Sequence, residues 1–321
     1  MRLLPLLLLV NLASLLVLPV SAQSYPAKPL RIVIGFAAGG GADILARTIG
    51  PKLSETLGQS VVIDNRPGAA GHIANEHVAR SAPDGYTLLM GAPGLVTYRS
   101  LYTKQTYDPE RDLTPVSLVG VVPNLLVLHP SVPAHTVKQL IALARAKPGR
   151  FNYASPGIGT SLHLAAELFK ALAKVEIIQI VYKGGAPAVA DLMGGHVDLM
   201  FDVLPSSLPH VKSGRLKAIG ITIGHRSALL PEVPTIAESG LPGYQASTWN
   251  GLLAPAATPR EITEKLVAEL ARVLRTPEMK ARFVAIGTET ASSTPEQFRA
   301  FLREETDKWT KVIRDAGIKL E

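Results

Sequence analysis

The sequence of 321 residues predicts an α/β fold made of two comparable domains. Short apolar segments alternate with turns containing glycine or proline and with segments whose apolar residues recur every three or four positions. This pattern is typical of parallel strands covered by helices. A similar unit begins again near residue 137, and the chain is long enough for two domains with separate cores. We therefore expect each domain to contain a mostly parallel sheet flanked by helices.

The predicted elements follow this alternation. In the first unit, strands are predicted at residues 30–36, 60–64 and 86–90, and helices at residues 43–57 and 72–81. A looser stretch follows, up to about residue 115. In the second unit, helices are predicted at 137–146, 161–172, 187–193 and 205–213, and strands at 151–154, 177–182, 197–201 and 216–221. After residue 260 we expect two helices, at 261–274 and 295–316, and a short strand near Glu289.

Two apolar runs, residues 121–128 and 249–254, bracket the middle of the chain. We expect the chain to pass between the domains at each run. One domain then comprises residues 23–123 and 249–321, and the other comprises residues 124–248. Two such crossings make a hinge. Because ligands of open α/β sheets bind at the carboxyl ends of the strands, we expect a binding site in the cleft between the domains.

Residues 1–22 have the features of a secretory signal peptide. Arg2 supplies a positive charge, and an almost wholly apolar stretch follows. Small residues up to Ala22 then form a typical cleavage site. A membrane anchor is the alternative, but Pro5 and Asn11 interrupt the apolar stretch. We therefore expect export to the periplasm and a mature chain that begins at Gln23. Because the sequence contains no cysteine, we expect neither disulfides nor a lipid attached to cysteine.

The composition favours a small-molecule partner. The formal net charge is +7 and the basic residues are scattered, so we do not expect nucleic acid to bind. The glycines at residues 39–41 lack the Lys-Ser/Thr ending of a phosphate-binding loop, and we expect no cofactor. His163 and Glu167 lie four residues apart on a predicted helix, but no third metal ligand is near in sequence, and we expect no metal. We expect the protein to act as a monomer.

The sequence also lacks the common catalytic motifs. It contains no Gly-x-Ser-x-Gly elbow, no His-Glu-x-x-His pair and no cysteine nucleophile. We therefore expect a binding protein without catalytic residues. An exported α/β hydrolase that uses dispersed Ser, His and Asp side chains is the alternative.

Three strand-to-helix turns are candidate sites for a small anion. Small residues in the first turn let the backbone approach a ligand closely. The second turn places hydroxyl and N–H groups at a helix start, where a carboxylate can bind without an arginine. The third turn adds Lys183, and Asp202 follows a later strand. Each feature also has a structural explanation, namely a tight turn, a helix cap or a solvated lysine. The candidates in the first two turns are Phe36, Ala37, Ala38, Gly39, Gly40, Ser155, Gly159, Thr160 and Ser161.

Several motifs, spread over nearly all of the chain after the signal peptide, resemble those of one family. They include Gly35-Phe36-Ala37-Ala38-Gly39-Gly40, Asn65-Arg66-Pro67-Gly68, Pro83-Asp84-Gly85-Tyr86, Asn152-Tyr153-Ala154-Ser155, Gly159-Thr160-Ser161-Leu162-His163, Tyr182-Lys183-Gly184 and Asp198-Leu199-Met200-Phe201-Asp202. In this order, the motifs resemble the Bug-type substrate-binding proteins of tripartite tricarboxylate transporters.

The resemblance implies a two-domain periplasmic binding protein, or Venus flytrap, that hands a carboxylate to membrane transporter subunits. A receptor that serves a sensor kinase is an alternative that the sequence leaves open. The resemblance assigns one end of the ligand to residues 36–40 through water, and a carboxylate to the turn at residues 155–161. Ala92 and Pro93, in the loop after the third strand, are further candidates. Because this loop is more apolar than is usual in the family, we expect an aliphatic or aromatic carboxylate as readily as a tricarboxylate.

Overall fold

The computed structural model describes residues 25–182 and 184–318. The predicted signal peptide and Lys183 lie outside the described residues. Within these two ranges, no helix combines the length and the apolar character that a membrane crossing requires.

Strands and helices alternate along the described chain. The strands are β1 (Leu30–Ile34), β2 (Val61–Asn65), β3 (Thr87–Gly91), β4 (Leu113–Leu128), β5 (Asn152–Ser155), β6 (Ile178–Val181), β7 (Leu199–Val203), β8 (Lys217–Ile221), β9 (Ser247–Pro255) and β10 (Glu289–Thr290). The helices are α1 (Gly41–Leu57), α2 (His72–Ala79), α3 (Gly94–Leu101), α4 (Pro109–Asp112), α5 (Val137–Ala146), α6 (Ser161–Ala173), α7 (Gly185–Met193), α8 (Leu204–Lys212), α9 (Arg260–Arg275), α10 (Pro277–Ala285) and α11 (Pro295–Asp315).

The strands form one curled sheet. Neighbouring strands follow the order β2-β1-β3-β9-β4-β7-β5-β6, and β8 and β10 each pair with β4. Strand β1 is parallel to β2 and β3, and β5 is parallel to β6 and β7. The pairings of β4 and β9 are antiparallel. The predicted α/β class is confirmed, but the sheet is mixed rather than mostly parallel because the two crossing strands run against their neighbours.

Strand β4 belongs to both halves of the sheet. Its first part pairs with β9, from Leu113 opposite Pro255 to Pro123 opposite Ser247. Its last part, from Asn124 to Leu128, pairs with β7 and β8. The two apolar runs predicted as crossings lie within β4 and β9. The chain therefore passes between the two halves of the sheet in two strands that are hydrogen-bonded to each other.

Local sequence signals set several helix ends as predicted. Gly58 ends α1 with a φ angle of 68°, a left-handed conformation that glycine adopts without strain. Thr136 caps α5 through a hydrogen bond from the backbone N–H of Gln139. Thr294 and Gln297 form a capping box at the start of α11. These contacts are local, so the sequence alone is sufficient to predict them.

Helix α11 packs against both halves of the molecule. It contacts α3 from one half, α6 from the other half, and the crossing strand β4. Buried Glu305 accepts hydrogen bonds from the indole N–H groups of Trp309 at 2.8 Å and Trp249 at 3.3 Å, and it pairs with Lys308. Because Trp249 lies on β9, this buried carboxylate attaches the C-terminal helix to a crossing strand.

Among the described residues, the structure adds three helices that were not predicted, namely α3, the single turn α4 and α10. Helix α3 lies in the stretch that was predicted to be loose. It was not predicted because its sequence includes Gly94, Val96 and Thr97, which are weak helix formers. Packing compensates, since Leu95 and Tyr98 are buried. Helix α10 follows α9, so the C-terminal region contains three helices rather than two. The sequence does carry a signal for the start of α10, because Thr276 caps the helix and a proline occupies its first turn.

Two buried histidines lie at helix starts. His72 is 5% exposed, and its Nδ1 atom lies 2.9 Å from the Tyr107 hydroxyl oxygen. His163 is 2% exposed, and its Nδ1 atom accepts a hydrogen bond from the Gly159 N–H at 3.2 Å. Burial lowers the pKa of each ring from 6.5 to about 4. Both rings are therefore neutral in the folded protein at pH 7.

We expect acid to weaken the folded protein through these rings. Between pH 6.5 and pH 4, the unfolded chain binds a proton at His72 that the folded chain excludes, so the free energy of unfolding falls as the pH falls. Over the full window this amounts to about 3 kcal/mol for one histidine. Urea unfolding of wild type and His72→Phe across the window measures the effect, with exposed His135→Phe as the control. A constant difference between wild type and His72→Phe would contradict this expectation.

Candidate functional site

Three backbone turns meet beyond the carboxyl ends of β1, β2 and β3. A methyl group added to Gly35 would lie 2.4 Å from the Cα atom of Gly71. One added to Gly94 would lie 2.4 Å from the carbonyl oxygen of Ala70. Only glycine permits backbones to approach so closely. We call these turns the first wall, and its predicted site residues are Phe36, Ala37, Ala38, Gly39, Gly40, Ala92 and Pro93.

The middle turn of the first wall has an unusual backbone. Four consecutive residues have positive φ angles: Gly68 at 135°, Ala69 at 47°, Ala70 at 52° and Gly71 at 97°. Alanine rarely adopts this conformation, because its Cβ atom clashes with the backbone. Strained backbone of this kind concentrates at binding and active sites. The sequence contains the motif Asn65-Arg66-Pro67-Gly68 but gives no signal for the left-handed alanines that follow it.

Asp43 supports the first turn of this wall from behind. Its buried carboxylate accepts hydrogen bonds from the Gly39 N–H at 2.8 Å, from the Arg47 guanidinium at 2.9 Å and from the Asn65 amide at 3.0 Å. The same amide donates to the Phe36 carbonyl oxygen at 3.1 Å. Burial raises the pKa of Asp43, but these hydrogen bonds outweigh burial and hold the pKa below its usual value. Sequence reasoning did not identify Asp43 or Asn65.

The turn between β5 and α6 forms a second wall. Thr160 caps α6, because its hydroxyl accepts from the His163 N–H at 3.3 Å and donates to the Gly157 carbonyl oxygen at 2.8 Å. Ser155 is fully buried behind this turn. The Gly159 N–H donates to the ring of His163, so it is directed into the protein. The N–H groups of Ser161 and Leu162 have no acceptor among the described residues.

A chain of three polar side chains joins the second wall to the crossing strands. Thr248 on β9 donates to the Asn124 side-chain oxygen on β4 at 3.1 Å. The Ser161 and Thr248 hydroxyl oxygens lie 2.8 Å apart, and Ser161 is the donor because the Thr248 proton is already engaged. The Asn124 side chain is fully buried, and its amide nitrogen has no partner among the described residues. Sequence reasoning missed Asn124 and Thr248.

Strand β9 also reaches the first wall. Asn250 donates to the Gly91 carbonyl oxygen, at the end of β3, at 3.3 Å. Its side-chain oxygen is buried without a partner among the described residues. Residues 248 and 250 face the same side of the strand, because side chains alternate along a strand. Thr248 and Asn250 therefore form a floor that contacts the second wall and the first wall respectively.

Two predicted residues belong to neither wall as described. Lys183 lies outside the described residues. Asp202, on β7, is 2% exposed and accepts a hydrogen bond from the Ser207 hydroxyl of α8 at 2.6 Å. Burial raises the pKa of Asp202, although hydrogen bonds from Ser207, Ser206 and the Val203 backbone oppose this rise. A contact of Lys183 or Asp202 with a ligand stays a prediction.

The arrangement is suited to holding an anion by neutral groups. The predicted site residues of the two walls that the structure describes, and the two floor residues, carry hydroxyl, amide and backbone N–H donors and no charged side chain. Within the described part of the chain, no group of three or more His, Asp or Glu side chains could hold a metal ion. A cavity of about 50 Å³ lies elsewhere, lined by residues of α3, α4 and α11, including Leu95, Pro109 and Leu302.

Comparison with known proteins places these features in a family. Residues 45–318 match the family model described as tripartite tricarboxylate transporter family receptor. The chain is similar to protein BugT of Bordetella pertussis, with 39% identity over 305 residues, which is 94% of each chain.

Two solved structures from Rhodopseudomonas palustris are also similar to this chain. Rpa4515 with adipate has 39% identity and a TM-score of 0.86, over 92% of this chain and 100% of that one. MatC with bound malate has 33% identity and a TM-score of 0.81, over 90% of this chain and 100% of that one. The fold is that of the periplasmic binding proteins, and the chain belongs to the tripartite tricarboxylate transporter receptor family.

Proposed function

We propose that this protein is an extracytoplasmic solute-binding protein that captures a small organic dicarboxylate between the two walls and delivers it to a membrane transporter. The walls belong to different halves of the sheet, and the chain passes between these halves in β4 and β9. In this proposal the domains, residues 23–123 with 249–321 and residues 124–248, close over the ligand about these strands. The protein binds and releases its ligand without changing it.

The observation that carries the proposal is the set of unpaired donors beside the second wall. The Asn124 amide nitrogen is buried without a partner among the described residues, and the first N–H groups of α6 have no acceptor there. A buried donor without a partner costs about 1–3 kcal/mol, and a carboxylate would remove this cost. Helix starts also carry a partial positive charge that stabilises an anion. Gly159 supports this site by its conformation rather than by its own N–H.

The apolar residues of the walls favour an aliphatic dicarboxylate. Phe36, Ala37, Ala38, Ala92 and Pro93 line the first wall and offer no side-chain donors. They suit the methylene segment of a ligand. The backbone N–H groups of Ala37 and Ala38 can receive its second carboxylate directly or through water, since those of Gly39 and Gly40 already donate within the protein. The adipate bound to Rpa4515, a protein 39% identical to this chain, belongs to this chemical class. A tricarboxylate would place a third charge against apolar side chains.

The first experiment is a thermal unfolding panel on the refolded, ligand-free mature protein. The panel contains adipate, malate, citrate, an aromatic acid, an amino acid and a neutral sugar. We expect adipate to raise the unfolding midpoint most, because a ligand at 100 times its Kd adds about 2.7 kcal/mol to the stability of the folded state. A larger shift with citrate would contradict the proposed ligand class. A shift with the sugar alone would contradict the carboxylate site.

A second experiment tests the second wall. Gly159 has a φ angle of 78°, which a β-branched residue adopts only with strain, so Gly159→Val should displace the turn and weaken adipate binding at least tenfold. Gly214→Val is the matched control, because Gly214 has a φ angle of 71°, lies in an exposed turn after α8 and has no atom within 4 Å of an added methyl group. Calorimetry measures both variants. Equal affinity for adipate in the two variants would place the carboxylate elsewhere.

A third experiment tests the floor. Thr248→Val keeps the side-chain shape but removes the hydroxyl that orders Ser161 and Asn124, and we expect about a tenfold loss of adipate affinity. Thr258→Val is the control, since the Thr258 hydroxyl is buried without a partner among the described residues and lies outside both walls and the floor. Unchanged affinity in Thr248→Val would mean that the polar chain only stabilises the crossing strands.

A further inference from the structure

A buried polar network lies directly behind the second wall. The Nδ1 atom of His163 accepts from the Gly159 N–H at 3.2 Å, and its Nε2 atom lies 3.9 Å from a carboxylate oxygen of Glu167. The same oxygen accepts from the Tyr153 hydroxyl at 2.7 Å and from the Lys170 ammonium group at 2.7 Å. His163, Glu167 and Tyr153 are 2%, 7% and 1% exposed. The network therefore joins the turn to β5 and to the body of α6.

The contacts define which ring nitrogen of His163 carries the proton. A backbone N–H can only donate, so Nδ1 must accept and cannot be protonated. The single ring proton is then on Nε2, on the side of the Glu167 carboxylate. At 3.9 Å this carboxylate does not accept a hydrogen bond from Nε2, but its negative charge favours the proton on that nitrogen. The ring thus presents a fixed acceptor to the turn.

This acceptor decides where the Gly159 N–H is directed. Gly159 is buried, and without Nδ1 its N–H would have no acceptor within the described turn. A buried donor without a partner is unfavourable, so the turn would rotate to reach water or another acceptor. The rotation would move Thr160 and Ser161, which follow directly and begin α6. The position of the free N–H groups of α6 therefore depends on the ring of His163.

We propose that His163 is a positioning residue for the carboxylate site, acting on the ligand only through the Gly159 N–H. This inference rests on the proposed function, because it assumes that the start of α6 receives the carboxylate. The Gly159 N–H sets the tautomer of the ring, the charge of Glu167 favours it, and Tyr153 and Lys170 hold Glu167 in place. The network makes no contact with the ligand, so its effect on affinity is geometric.

Two variants of His163 separate positioning from packing. In His163→Asn, the side-chain oxygen can occupy the place of Nδ1 and accept from the Gly159 N–H, although the smaller side chain leaves a cavity. In His163→Leu, the volume is largely kept but the acceptor is lost. We expect His163→Asn to be the less stable variant and yet to bind adipate within about threefold of wild type. We expect His163→Leu to be the more stable variant and to bind adipate at least tenfold more weakly.

Calorimetry with adipate and thermal unfolding measure these two rankings. A role in packing alone would give affinity losses that follow the stability losses, so His163→Asn would then bind no better than His163→Leu. That outcome would overturn the proposal. Opposite rankings of affinity and stability would support it.

Hydrogen exchange without ligand tests the positioning step separately from the proposed function. We expect backbone exchange of residues 157–161 to be at least tenfold faster in His163→Leu than in wild type, and near the wild-type rate in His163→Asn. If wild type binds none of the carboxylates while the exchange rates follow this order, the proposed function fails and His163 still positions the turn. Equal exchange rates in wild type and His163→Leu would overturn the role of His163, even if adipate binds.

Discussion

The pairing of β4 with β9 is the constraint on which the rest of the structure depends. The ladder between them runs from Leu113 opposite Pro255 to Pro123 opposite Ser247. Strand β3 joins the edge of β9, while β7, β8 and β10 join β4, so both halves of the sheet are assembled on this pair. Helix α11 then attaches to it through the hydrogen bonds that Trp249 and Trp309 donate to Glu305. Two strands bonded to each other can bend or twist together, and in the proposed function this makes them the hinge.

The same pair supplies the floor of the site and connects the walls. Thr248 contacts Ser161 of the second wall, whereas Asn250 contacts the end of β3 at the first wall. A ligand between the walls would therefore lie directly above the strands that would move. A ligand favours the closed arrangement only if it binds that arrangement more tightly than the open one. Donors beside β4 and β9 contribute to closure when they bond to the ligand in the closed arrangement but not in the open one. The partner-free amide nitrogen of Asn124 is a donor of this kind among the described residues.

Buried side chains hold both walls in place from the protein interior. Asp43 accepts hydrogen bonds from three donors behind the first turn of the first wall. His163 accepts one from the Gly159 N–H behind the second wall. These supports fix the backbone, so the exposed parts of the turns can consist of small residues without becoming mobile. In the proposed function, the backbone and hydroxyl donors of the walls select carboxylates, and the apolar side chains of the walls select the length of the ligand. In the same proposal, the predicted site residues on the described walls hold the carboxylate without a lysine or arginine.

The sequence by itself determined the α/β class, most of the elements in their order, the two crossings and the family, because periodicity, caps and turns act over a few neighbouring residues. The helix ends at Gly58, Thr136 and Thr294 are examples. Only the tertiary structure revealed the mixed sheet, helix α3 and the supports of the site. The hydrogen bond between Thr248 and Asn124 joins residues 124 positions apart, and that between Thr248 and Ser161 joins residues 87 apart. No local pattern records such partners, since they meet only after the strands have paired and the helices have packed.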